Sequence, residues 1–96
     1  MKLLWLRGAI ADRDAQIDYI AQENPTAAIE QGDRIEHQVS QLIDHPEMGR
    51  PGRNKGTREL VVSRTPFIVV YRVKPRAGRI ELMRVLHGSQ QWPPSA

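Results

Sequence analysis

Cysteine is missing from all 96 residues, which excludes disulfides and thiolate metal sites and fits a reducing compartment. Aromatic residues are scarce, at one Phe, two Tyr and two Trp. In the basic half only Phe67, Tyr71 and Trp92 could stack on unpaired bases, a poor equipment for a single-strand binder. No apolar run approaches the roughly 20 residues of a membrane helix. The opening MKLLWLRG is too short a hydrophobic stretch for a signal peptide and lacks a cleavage pattern. A cytoplasmic protein is therefore expected. There is no G-x-S-x-G, no phosphate-binding glycine loop and no paired carboxylate constellation. His37, His45 and His87 lack metal-ligand spacing such as H-x-x-x-H, so neither a metal nor a cofactor is expected.

The second half is also short of negative charge. Residues 1–49 hold four Lys/Arg and nine Asp/Glu, whereas residues 50–96 hold ten Lys/Arg and two Asp/Glu. The balance runs from −5 to +8, a field that draws an anionic partner to one side. RNA, DNA and an acidic protein segment all satisfy it, and a solvated rim of charge kept for solubility is the plain alternative.

What is present is pattern. With 40% hydrophobic and 26% charged residues, the composition is that of one globular domain spanning residues 1–96. Thr57–Ser63, Phe67–Lys74 and Arg79–Leu86 are runs of β-branched, aromatic and aliphatic residues. Arg64-Thr65-Pro66 and Pro75-Arg76-Ala77-Gly78 divide them, so the three runs read as an antiparallel meander. Leu3–Leu6 reads as a short buried strand, placed at the sheet edge or beside the Arg79–Leu86 strand. Between them lie two helices. The first is expected over residues 9–22, with Ile10, Ile17, Ile20 and Ala21 facing the core and Asp12, Asp14 and Asp18 mostly wet. The second is expected over Pro25–Asp44, started by Asn24-Pro25 and stopped by His45-Pro46. Its seam is Ala28, Gly32, Ile35, Val39 and Leu42, with Gly32 allowing a neighbour to approach closely. The fold class is α+β, in the order β-α-α-β-β-β.

Alternation puts Phe67, Val69, Tyr71 and Val73 on one face and Ile68, Val70 and Arg72 on the other. It puts Ile80, Leu82, Arg84 and Leu86 together, opposite Met83, Val85 and His87. The Glu47–Gly56 segment is a basic loop carrying Arg50, Arg53 and Lys55. Arg58, Arg72 and Arg84 fall on strands that can bring them together around an anionic group; the competing reading pairs two of them with Glu59 and Glu81. Trp92 is the only large anchor in the Gly88–Ala96 tail and is expected on the sheet edge.

The stretches GTREL, PFIVVYRV and IELMRVLHGSQQWP, with LLWL at the start and AQENPTAA at the helix junction, resemble the RelE/ParE superfamily of bacterial toxins. The resemblance covers the whole chain. It implies the toxin of a type II toxin–antitoxin module, neutralised by a cognate antitoxin whose disordered segment folds on binding. The superfamily holds two chemistries. Its RelE- and YoeB-like branch cuts mRNA on the ribosome and needs an Arg in the strand corresponding to Phe67–Lys74. Alignment puts Ile68 at that position and Gly88 where YoeB-like members carry Tyr. Only His87 matches, and the other branch also has a His there; Arg72 and Arg84 would have to complete an RNase set. The ParE-like branch poisons DNA gyrase by binding, with no catalytic residues of its own, and is the favoured reading. An mRNA endoribonuclease is the alternative, and a non-catalytic nucleic-acid-binding module a further one. The residues expected to bind target or antitoxin are Arg50, Arg53, Lys55, Arg58, Arg72, Arg84, His87 and Trp92.

Overall fold

A computed structural model describes residues 1–90 together with Trp92 and Pro93. The remainder of the expected tail loop lies outside the described residues. β1 (Lys2–Trp5) leads through Leu6 into α1 (Arg7–Glu23), and α2 (Pro25–Ser40) continues into a 3-10 turn at Gln41–Ile43. β2 (Arg50–Pro51), β3 (Arg58–Val61), β4 (Phe67–Lys74) and β5 (Arg79–His87) follow, with a second 3-10 turn at Pro75–Ala77. The sheet order is β1-β5-β4-β3-β2, antiparallel throughout except for β1, which runs parallel to β5.

The meander and its central strand stand where the hydrophobic runs place them. Gly78 ends the second turn at φ +66°, a conformation that glycine adopts without steric cost. The α2 seam also holds: Ala28, Ile35, Val39 and Leu42 are all buried, and Asn24 caps the helix by accepting the Ala27 N–H at 3.1 Å. Helices on one face of the sheet enclose Val69, Tyr71, Ile80, Leu82 and Val85, with Leu60 and Val62 from the β3 side.

Five expectations need correction. Helix α1 begins at Arg7, and its buried residue is Ala9, while Ile10 is exposed. Ile17 and Ile20 pack against the core as expected, and the earlier start adds Ala9 to their stripe. Helix α2 is regular only to Ser40, and its last turn tightens to 3-10 geometry before Pro46. At Gly32, an added methyl would stand 3.9 Å from Ile17 Cδ1, an ordinary contact, so close approach does not explain that glycine. The sheet has a fifth strand, β2, paired with Arg58 and Glu59. Finally, the pairing of β4 with β5 shifts between Val70 and Tyr71, which face Arg84 and Leu82. The extra residue, Met83, makes a bulge that re-aims the strand beyond it. Val85 and His87 thus join Ile80 and Leu82 on the helix side, opposite Val69 and Phe67.

Side chains finish the sheet where strands run out. Beyond β1, the exposed edge of β5 is paired by helix α1: Asp12 accepts the Val85 N–H at 2.9 Å, and Gln16 donates to the Val85 carbonyl at 2.7 Å. At the other edge, Gln38 accepts the Ser63 N–H at 2.8 Å and donates to the Ser63 carbonyl at 3.2 Å. Both satisfy backbone groups that otherwise stay unpaired.

Candidate target-binding face

Opposite the helices, the sheet presents Glu59 from β3, Ile68, Val70 and Arg72 from β4, and Glu81 and Leu86 from β5. This outer face is nevertheless buried at its centre. Val70 is fully enclosed, Ile68 and Leu86 are nearly so, and the Glu59 and Glu81 carboxylates are 2% and 4% exposed. Two buried carboxylates on one sheet face are costly unless each is paired and hydrogen-bonded.

Arginines provide the pairing. Glu59 Oε1 accepts from Arg50 Nε at 3.3 Å and Nη2 at 3.0 Å, while Oε2 takes the Arg53 backbone N–H at 3.0 Å with Arg53 Nε at 3.5 Å. Strand β2 exists for this contact, because it sets Arg50 directly opposite Glu59. Glu81 accepts from Arg72 Nε at 2.6 Å and from Arg79 Nε at 2.8 Å. Burial pushes the Glu59 carboxyl up, but the Arg53 and Arg50 hydrogen bonds outweigh it and hold the group below the usual carboxylate range. For Glu81 the Arg72 hydrogen bond leads; burial opposes it, Arg79 adds to it, and the result is again a lowered pKa.

The three strand arginines do not converge. Arg72 pairs with Glu81, as the edge-charge reading has it. Arg58 lies on the helix side and donates to the carbonyls of Glu47 and Gly49. Arg84 donates to both carboxylate oxygens of Asp12, at 2.7 and 3.2 Å, which raises its pKa; burial opposes that hydrogen bond without cancelling it. Asp12 is therefore no solvated helix charge, because it closes the β5 edge and anchors Arg84. His87 lies on the helix side, edge-on to Phe67 with ring centroids 6.2 Å apart. Its Nδ1 accepts the Ser89 N–H at 3.2 Å, so the neutral ring carries its proton on Nε2. His87 and Arg72 thus stand on opposite sides of the sheet.

Lys55 is exposed in the loop joining β2 to β3. Trp92 packs on β5 at Arg84 and also reaches the β2–β3 loop. Its ring sits 5.3 Å from the Arg84 guanidinium carbon, and its carbonyl accepts from Arg53 Nη1 at 3.0 Å. The tail thereby links β5 to the β2–β3 loop across the strands between them. Among the described residues no cluster of metal-ligating side chains occurs, and no helix is long and apolar enough to cross a membrane.

Sequence reasoning named Glu59 and Glu81 only as edge-charge partners and missed that both are buried and order this face. Their signal was present: they are the only acidic residues among ten basic ones in the second half, and both occupy strand positions.

A parallel β1 beside a three-stranded meander, backed by a helical hairpin, is the architecture of the RelE/ParE toxins. A family model described as the ParE toxin of the type II toxin–antitoxin system, parDE, matches residues 3–92. Toxin Y4kP of Sinorhizobium fredii is 38% identical over 92 residues, covering 96% of this chain and 93% of that protein. Toxin RelE2 of Caulobacter vibrioides is 33% identical over 89 residues, covering 93% and 97%. A chain from a structure of the chromosomal ParDE TA system from P. aeruginosa superposes with a TM-score of 0.80 at 33% identity, covering 91% of this chain and 95% of that chain. The chain belongs to the ParE family of type II toxin–antitoxin toxins.

Proposed function

We propose that this ParE-family toxin acts in the cytoplasm as a single unit that inhibits DNA gyrase by binding, and that a cognate antitoxin neutralises it. One observation carries the first part. Position 68, where an RNase of this superfamily needs a phosphate-stabilising Arg, is Ile68, 8% exposed among Val70 and Leu86. An aliphatic side chain stabilises no developing phosphate charge, and Arg72, Arg84 and His87 do not converge on one point: Arg72 and His87 lie on opposite sides of the sheet, and Arg84 is held by Asp12. What this face offers is shape and positive charge, which suit binding.

The antitoxin reading rests on the opposite side. A cavity of about 300 Å³ opens between the hairpin and the sheet, lined in part by Gln16, Tyr19, Gln31, Phe67 and His87. Tyr19, which lines it, is 71% exposed, and Ile29, elsewhere on the helical hairpin, is 66% exposed. A concavity lined by Tyr19, Ile20 and Phe67, on a hairpin that exposes a further isoleucine, suits the apolar face of an amphipathic partner helix.

The test is a supercoiling assay with purified gyrase, beside a ribosome-dependent mRNA cleavage assay on the same preparation. Blocked supercoiling or trapped cleaved DNA, with intact mRNA, is the expected result. Codon-specific cuts in mRNA with unaffected supercoiling would overturn the gyrase reading in favour of the endoribonuclease.

A further inference from the structure

We infer that the outer sheet face is a pre-organised phosphate-binding surface that grips the backbone of duplex DNA, with Glu59 and Glu81 acting as positioning residues for two arginine pairs. Each glutamate is almost fully buried and each of its arginines is only partly so: side-chain exposures are 52% and 40% for Arg50 and Arg53, and 38% and 46% for Arg72 and Arg79. A carboxylate that served only to neutralise charge would do so at the surface without the desolvation penalty. Burying it fixes where the guanidinium forks stand.

The donors used and the donors left over point the same way. Arg72 and Arg79 each spend Nε on Glu81, and among the described residues their Nη groups have no partner. Those Nη groups remain on the exposed ends of the side chains, in the planar geometry that matches phosphate oxygens. On the Glu59 side, again among the described residues, Arg50 keeps Nη1 unused and Arg53 keeps Nη2. Register sets the separation of the pairs. Glu59 faces Val70 and Glu81 faces Arg72, two strands and two residues apart, or about 12 Å at ordinary strand spacing. That distance serves two separate phosphates. Each pair keeps a net positive charge after its glutamate is counted.

Duplex is favoured over single-stranded nucleic acid because the face offers no free aromatic for a base to stack on. Phe67 and Tyr71 are buried on the helix side, and Trp92 lies against Arg84. Phosphate contact without base readout supports sequence-independent binding. This inference goes beyond gyrase inhibition. It is measured with DNA alone, so it can fail while that reading stands, and the reverse.

The experiment is fluorescence anisotropy of the full chain with a labelled 20-base-pair duplex across a salt series. Binding should weaken with salt, and Arg72→Gln/Arg79→Gln should flatten the log–log slope by about 0.9, the loss of one phosphate contact. Two further variants separate a built site from a general basic patch. Arg72→Lys/Arg79→Lys keeps the charge and removes the forks; it should bind on the order of tenfold more weakly, as expected where bidentate geometry matters. Glu81→Gln adds one positive charge, so a plain patch would bind DNA more tightly, whereas loss of positioning weakens binding. Lysine variants equal to the parent, a tighter Glu81→Gln, or no binding at low salt would each overturn the inference. Competition by polyglutamate as strong as by duplex at equal charge would also overturn it, and would assign the face to an acidic protein segment.

Discussion

The two faces of the sheet are both closed, but by different forces. On the helix side, Ile35, Val39 and Leu42 interlock with Val69, Tyr71, Ile80 and Leu82, a dry contact stabilised by burial of apolar area. On the outer side, the centre is closed by arginine stems, two buried glutamates and the tail at Trp92. The residues of the first arrangement carry no ion pair, so it should respond little to salt and pH, and it serves the fold. The second depends on charge, holds donors at the surface, and is the part of the molecule ready to meet something anionic.

Removing one atom from the helix side gives the largest change. The Tyr71 hydroxyl accepts the Gly49 N–H at 2.9 Å and donates to the Pro46 carbonyl at 2.8 Å, and burial raises its pKa against the Gly49 hydrogen bond. It pins the segment that leads into β2, and a methyl at Gly49 would stand 2.7 Å from the Tyr71 ring. Tyr71→Phe should cost about 1–3 kcal/mol, because both partners are left unsatisfied. Chemical denaturation should find that loss unchanged between low and high salt.

Acid should act on the outer side instead. The Glu59 and Glu81 pKa values are lowered in the folded state, so their stabilisation is complete above the ordinary value of 4.5 and is lost as pH falls below it. Thermal unfolding followed from pH 7 to 3 should show a falling midpoint below that value. Glu59→Gln should flatten the fall, whereas Tyr71→Phe should leave its shape intact. An equal fall in the Glu59→Gln protein would mean that the contrast between the faces is wrong.

The smallest effect should be a gain. Gly32 lies in helix α2 with room for a methyl beside Ile17, so Gly32→Ala should stabilise the protein by up to about 1 kcal/mol. A loss on thermal denaturation would show that the hairpin is packed more tightly than a 3.9 Å contact implies.

The helix-side face was legible in the sequence, because apolar periodicity names both the elements and the residues that meet. Phe67–Lys74 and the α2 seam show this. The outer face was much less so. Strand β2 is two residues, Arg50–Pro51, with no hydrophobic pattern to reveal it. The Met83 bulge moves Val85 and His87 to the other face, and one extra residue leaves no compositional trace. Asp12 meets Arg84 across 72 positions of chain, a contact that only the completed fold creates. Positive charge could be counted from the sequence, and Glu59 and Glu81 named as its partners, but not which arginine meets which carboxylate.

Under the two proposals taken together, the faces divide the work, with the target on the outer face and the antitoxin on the helical one. The most direct measurement scores two variants, each for growth arrest on induction and for rescue by the co-expressed cognate antitoxin. Arg72→Gln/Arg79→Gln should lose growth arrest while still pulling down antitoxin. Tyr19→Ala/Ile29→Ala should arrest growth yet escape rescue. Loss of both properties in either folded variant, or the reverse assignment, would contradict that division.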